Sequence, residues 1–275
     1  MAAPTDEEEG DGRARRERLV RWLAPLAIAL VAIGAWELVV RVNQIPPYIL
    51  PGPGLVASSL VNDWWTLWPS LLVTLRITAM ALAAAIVGGI GLAILFSLSR
   101  WVELSLFPFA VILQVTPIVA IAPLILIYVD NTYLALLICA WIVAFFPILS
   151  NTTLGLNSAD HNLRDLFQLY RASRWQQLRL LRLPAAMPYF LGGLKIAGGL
   201  SLIGAIVAEF AAGTAGTGSG LAYRILEAGF RLNIPRMFAA LILISLTGIL
   251  IFLAFSLLQH LVLRRWHESA LKREG

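Results

Sequence analysis

The sequence predicts an all-α integral membrane protein of about six transmembrane helices. Of its 275 residues, 59% are hydrophobic and 13% charged, whereas a soluble domain carries about 25% charged residues. Apolar runs of about 20 residues recur, the length that crosses roughly 30 Å of hydrocarbon at about 1.5 Å per residue. Arginine and lysine collect on alternate connections, and basic flanks stay in the cytoplasm.

Residues 1–21 open with an acidic block and continue with a basic one. They offer little to bury, so a disordered cytoplasmic tail is expected. A cleavable leader is not expected, because the start is acidic and the apolar run behind it is long enough to span. The membrane domain covers 22–265, with its first span near Leu23 to Val42 and its second, rich in Ala and Gly, near Leu75 to Leu98. The third, about Leu104 to Val129, contains Pro108, Pro117 and Pro123. Such a helix is expected to be bent and packed against neighbours that satisfy the freed carbonyls, not bathed in lipid. The fourth runs from about Thr132 to Leu154, the fifth from Pro188 to Ala212 and the sixth from Met237 to Leu263. Residues 266–275 form a C-terminal tail.

With the N-terminus inside, one side of the bilayer collects the basic tail, Arg100, the five arginines from Arg164 to Arg182, Arg264, Arg265, Lys272 and Arg273. The other keeps chiefly Arg224, Arg231 and Arg236. The chain is therefore expected to be a multi-pass protein of a plasma or inner membrane with both termini cytoplasmic. Topology also explains the net charge of +5 without nucleic acid, for which no motif is present.

Three histidines, one cysteine, and no HExxH or GxSxG leave no catalytic or metal site to expect, and no cofactor. No Gly-Lys pair exists, so a phosphate-binding P-loop is excluded. The glycine-rich GTAGTGSG at 213–220 follows a membrane helix and reads as a turn. Glu37, Arg76, Lys195 and Glu209 are ionisable groups inside spans. Such groups face protein or water, or snorkel to the headgroups. For Glu209 two readings stand, a gate on the transport path and a buried structural hydrogen bond.

The connection at 157–187 contains DLFQLYRASRWQQLRLLRLP, too charged for lipid and too apolar for an ordinary loop. Asn162 is a candidate cap for a first short helix, with Leu163, Leu166, Phe167 and Tyr170 on one apolar face. Ser173 and Gln176 make a capping box for a second, running to Leu183 before Pro184. A corner is expected at Arg171 and Ala172. Arg179 and Arg182, three apart, suit anionic headgroups or a partner. So short a helix is unstable alone, so something must pack on its apolar face.

These residues resemble permease subunits of binding-protein-dependent ABC importers, whose cytoplasmic loop carries E-A-A-x3-G-x9-I-x-L-P. Asp165, Leu166 and Phe167 take the E-A-A places, Arg171 the glycine, Leu181 the isoleucine, and Leu183 and Pro184 the L-P. TPIVAIAPLILIYV (116–129), RASRWQQLRLLRLPAAMPYFLGGLKIA (171–197), GAIVAEF (204–210) and RRWHES (264–269) are similar to the nitrate/sulfonate/taurine branch.

The resemblance implies a type I importer permease fold with a cytoplasmic two-helix coupling loop and no ATPase site of its own. The implied partners are cytoplasmic ATPase subunits, an extracytoplasmic solute-binding protein, and a second permease copy, a homodimer in the bilayer. ATPase coupling falls to Asp165, Leu166, Phe167, Tyr170, Arg171, Ala172, Ser173, Arg174, Leu183 and Pro184. Polar residues on spans three and five, Gln114, Thr116, Ser201 and Glu209, are candidates for the translocation path. The expected cargo is a small polar or anionic organic solute, with a pyrimidine thiamine precursor as alternative. A different class, an ion-coupled secondary transporter using Glu209 and Lys195 as relay, predicts transport by one polypeptide.

Overall fold

The computed structural model describes residues 6–213 and 218–264, apart from the side chains of residues 6–19, 21 and 22. Among the described residues the chain is helical, in the order α1 (Asp6–Val42), α2 (Pro53–Asn62), α3 (Trp64–Leu98), α4 (Arg100–Val115), α5 (Ile118–Tyr128), α6 (Thr132–Asn157), α7 (His161–Leu169), α8 (Arg174–Gln177), a π turn (Leu178–Arg182), α9 (Leu183–Ala212), α10 (Leu221–Phe230) and α11 (Ile234–Leu263). Five segments are long and apolar enough to cross a membrane, six if the bent pair α4–α5 counts as one. The backbone from Asp6 to Arg21 continues the first spanning helix, where the sequence suggests a disordered tail; Glu and Arg, which dominate that stretch, are good helix formers. Residues 1–5 and the C-terminal tail at 266–275 lie outside the described residues.

α3, α6 and α9 form the centre, and small residues let them approach. A β-carbon at Gly193 would lie 2.7 Å from the Pro147 carbonyl, and one at Gly204 2.8 Å from the Ala140 Cα. The main core gathers Phe96, Phe145, Ile148, Leu149, Leu156, Leu178 and Leu194. α1 stands off this bundle, its apolar stretch unburied. It leans in through Trp36, 5.7 Å from the Phe238 ring, while Glu37 pairs with Arg41 within α1 itself.

The third span differs most from expectation. α4 and α5 meet at 101°, because Pro117 lacks an N–H and forces Thr116 out of helical geometry, to φ −72° and ψ 123°. The pair is bent, as the prolines imply, but it is not packed away within this chain. Ala110 is the buried residue of α4 and Ala122 that of α5.

The fifth span begins earlier than Pro188. α8, the π turn and α9 run on as one segment from Arg174 to Ala212, so the second loop helix does not stop before Pro184. A regular helix would drive the Pro184 ring into the carbonyl four residues back. The π turn widens the helix just ahead of it, with the Leu183 N–H donating to the Leu178 carbonyl five residues back.

Candidate functional site

The connection at 157–187 builds a small two-helix unit. Asp160, not Asn162, caps α7: its Oδ1 accepts from the Asn162 N–H at 2.7 Å and the Leu163 N–H at 3.2 Å. A carboxylate there also meets the positive end of the helix dipole. Asp165 lies further along the helix and faces His161 at 3.9 Å on the exposed side.

α7 ends at the expected corner. The Ala172 N–H donates to the Phe167 carbonyl and the Arg171 N–H to the Gln168 carbonyl, both at 2.9 Å. That pair is the Schellman closure, which needs a left-handed residue at its turn, usually glycine. Arg171 supplies it, with φ +51°. The arginine therefore keeps the backbone of the glycine it replaces, at a strain of roughly 1–2 kcal/mol.

Beyond the corner the capping box forms as expected. The Ser173 N–H donates to Gln176 Oε1 at 2.7 Å and the Gln176 N–H to Ser173 Oγ at 3.2 Å. Phe167 and Ala172 line a groove inside the corner with Leu166, Tyr170, Gln176 and Leu180. Phe167 is half-buried. Leu166 and Tyr170 are exposed, and so are Leu163, Leu169 and Trp175. α7 packs extensively on no other helix, so its apolar face is open. Leu169 and Trp175 were not among the predicted coupling residues, although Leu169 falls on the spacing of Leu166 by three. Leu183 and Pro184 lie past the π turn, at the start of α9. Arg174 is exposed, whereas Arg182 is half-buried and turned inward, its Nη1 donating to the Ser97 carbonyl at 2.9 Å.

The path candidates do not converge. Gln114 is exposed near the end of α4. Thr116 sits in the break, its hydroxyl donating to the Ile112 carbonyl at 2.6 Å. Ser201 is fully buried on α9 and donates to the Gly198 carbonyl at 2.9 Å.

Glu209 is buried near the C-terminal end of α9. Its Oε1 accepts from the Thr74 hydroxyl at 2.7 Å and its Oε2 from the Ala222 N–H at 3.0 Å. Thr74 Oγ1 in turn accepts the Leu221 N–H at 2.9 Å. The carboxylate thus ties α3 and α9 to the first turn of α10, where free N–H groups and the helix dipole favour an anion. A β-carbon at Gly220 would overlap that carboxylate. Sequence spacing does not reveal this latch, because Thr74 and Glu209 are 135 residues apart.

A second clasp joins α11 to the α2–α3 junction and α10 to α3. Arg236 donates to Asp63, which also accepts from Ser59 at 2.7 Å. Arg224 bonds Ser70 at 2.8 Å and Glu227 at 2.7 Å. Hydrogen bonding from Arg236 holds the Asp63 carboxyl below its ordinary range, and Arg224 does the same for Glu227.

Residues 85–268 match the family described as binding-protein-dependent transport system inner membrane component. A probable ABC transporter permease protein of Haemophilus influenzae is 31% identical over 88% of this chain and 97% of its own length. A formylaminopyrimidine transport permease of Halalkalibacterium halodurans is 32% identical over 90% of this chain and 97% of its own. The taurine transport system permease of Escherichia coli is 28% identical over 91% and 94%. Among solved structures, an amino acid ABC transporter chain superposes with a TM-score of 0.58 at 18% identity, covering 76% of this chain and 94% of that one.

Proposed function

The chain belongs to the binding-protein-dependent transport system inner membrane components, as an ABC importer permease of the nitrate/sulfonate/taurine type, and from that premise we propose that it admits a small polar or anionic organic solute, driven by separate ATPase subunits that grip α7. The observation that carries the coupling role is the open apolar face of α7, set on a hinged corner continuous with the fifth span. Closure of two ATPases around such a helix tilts α8 and α9 as one rigid piece. Leu166, Phe167, Tyr170 and the newly recognised Leu169 make the contact, while Asp165, Arg171, Ala172, Ser173 and Arg174 shape its border. A Leu166→Asp, Phe167→Asp double variant is expected to lose co-purification with the ATPase and to abolish uptake. Normal assembly and transport would overturn the coupling role.

The α4–α5 break supports the path between two copies. Irregular backbone at membrane depth is tolerated where protein buries it or water lines it. The corner at Thr116 and Pro117 faces outward from this chain, next to the exposed Gln114. A second copy facing it would enclose a polar route with Gln114 and Thr116 on its wall, and Ser201 and Glu209 hold the helices behind. The loop and both tails, 1–21 and 266–275, then face the cytoplasm.

The similarity to taurine and sulfonate permeases favours an anionic cargo. The similarity to the formylaminopyrimidine permease favours a second reading, a pyrimidine thiamine precursor. Calorimetry on the cognate binding protein separates them: a sulfonate that binds while the pyrimidine does not supports the first, and the reverse supports the second.

A further inference from the structure

The base of the loop holds a cavity whose arginines have no carboxylate partner among the described residues. Its lining is Ser97, Leu98, Arg174, Gln177, Leu178 and Arg182. Among the described residues, carboxylates pair with Arg41, Arg100, Arg224, Arg231 and Arg236. Neither Arg174 nor Arg182 has such a partner. Arg164 makes the imbalance worse: it stands close enough to Arg182 to repel it. Its Nη2 donates to the Asn157 carbonyl, but its Nε is buried with no acceptor. Two guanidinium groups, those of Arg174 and Arg182, thus line the recess, and of these only Arg182 has an acceptor there, the Ser97 carbonyl.

Guanidinium is a planar fork of five donors that matches phosphate oxygens two at a time. Uncompensated charge of one sign at a partly buried site attracts an anion of complementary geometry. The location indicates where that anion comes from. Ser97 and Leu98 are the last residues of α3, so the cavity opens at the level where the second span leaves the bilayer. Trp101, 81% exposed, follows three residues after Leu98, and Trp175, 64% exposed, follows Arg174. Exposed tryptophans at span ends sit at headgroup depth. Basic pockets between helices on the cytoplasmic side receive lipid headgroups.

We propose that this cavity binds a phosphate group between Arg174 and Arg182, supplied by a phospholipid headgroup of the inner leaflet. Occupied, it cross-links the end of the second span to the start of the coupling unit, through Ser97 and Arg182. It rests on the cytoplasmic placement of the loop proposed above, but its readout, bound lipid, is separate from ATPase capture.

The full-length permease, purified with its ATPase subunits and stripped of lipid, is titrated in native mass spectrometry with phosphatidylglycerol and, separately, with inorganic phosphate. Wild type is expected to retain phosphatidylglycerol. Arg182→Gln and Arg174→Gln are expected to weaken it about tenfold or more, the loss of charge-assisted bonds. Arg179→Gln, outside the cavity, is expected to bind as wild type. Arg174 is exposed and its side chain makes no bond among the described residues, so its variant remains informative if Arg182→Gln does not fold. Binding of inorganic phosphate with the same arginine dependence, and none of phosphatidylglycerol, keeps the site and assigns a soluble source. Lipid retained equally by all variants, or no binding of either probe, overturns the proposal.

Discussion

Arg171 concentrates the tension between sequence and structure. Its place in the loop motif belongs to glycine, and the backbone it adopts, φ +51°, is one that glycine enters without strain. Arg171→Gly is expected to keep ATPase-coupled uptake and to raise stability by about 1 kcal/mol or less, since glycine also gains freedom when unfolded. Arg171→Val, β-branched at a left-handed position, is expected to open the corner and uncouple ATP hydrolysis from transport. Vanadate-sensitive ATPase and uptake measured together check both. Glu209 poses a different question at the same scale, path or latch. Glutamine can still accept from the Ala222 N–H while its amide donates to Thr74, whose hydroxyl already lies 3.3 Å from the Ser70 carbonyl. A latch therefore predicts near-normal stability and transport for Glu209→Gln, and a loss of about 1–3 kcal/mol for Glu209→Ala, which leaves buried donors unpaired. A path role predicts a stable Glu209→Gln protein that no longer transports.

Between helices, the Asp63–Arg236 clasp is an electrostatic device with a definite pH window. Asp63 is held below its ordinary range by Arg236, so its contribution to stability is complete above the unfolded value of about 3.9 and fades as pH falls through the folded one. Asp63→Asn is expected to lower stability by about 1.5–3 kcal/mol, by the same amount from pH 8 down to pH 5. The difference shrinks only in stronger acid. Thermal unfolding in detergent across that range measures it, and a difference that grew toward pH 5 would contradict the pairing. The spanning elements were legible in the sequence because lipid demands apolar length, a signal each helix carries alone. The capping box of Ser173 and Gln176 and the corner at Arg171 were legible because their partners lie within five residues. What escaped was set by tertiary contact or by competition between neighbours. Asp160 outcompeted Asn162 as cap, Pro184 was absorbed by a π turn, and the Thr74–Glu209 latch joins residues far apart in the chain.

As a whole, the molecule looks unfinished in two places. α1 barely touches the bundle, and the α4–α5 corner turns its irregular backbone outward. In the proposed function a companion copy covers the corner and an external motor covers the open face of α7. The most direct measurement is solute uptake into proteoliposomes holding the permease and its loaded binding protein, with the ATPase subunits present or omitted. ATP-dependent uptake only when the ATPase is present is the predicted result. Accumulation of solute by the permease without the ATPase, driven by an ion gradient alone, would contradict it.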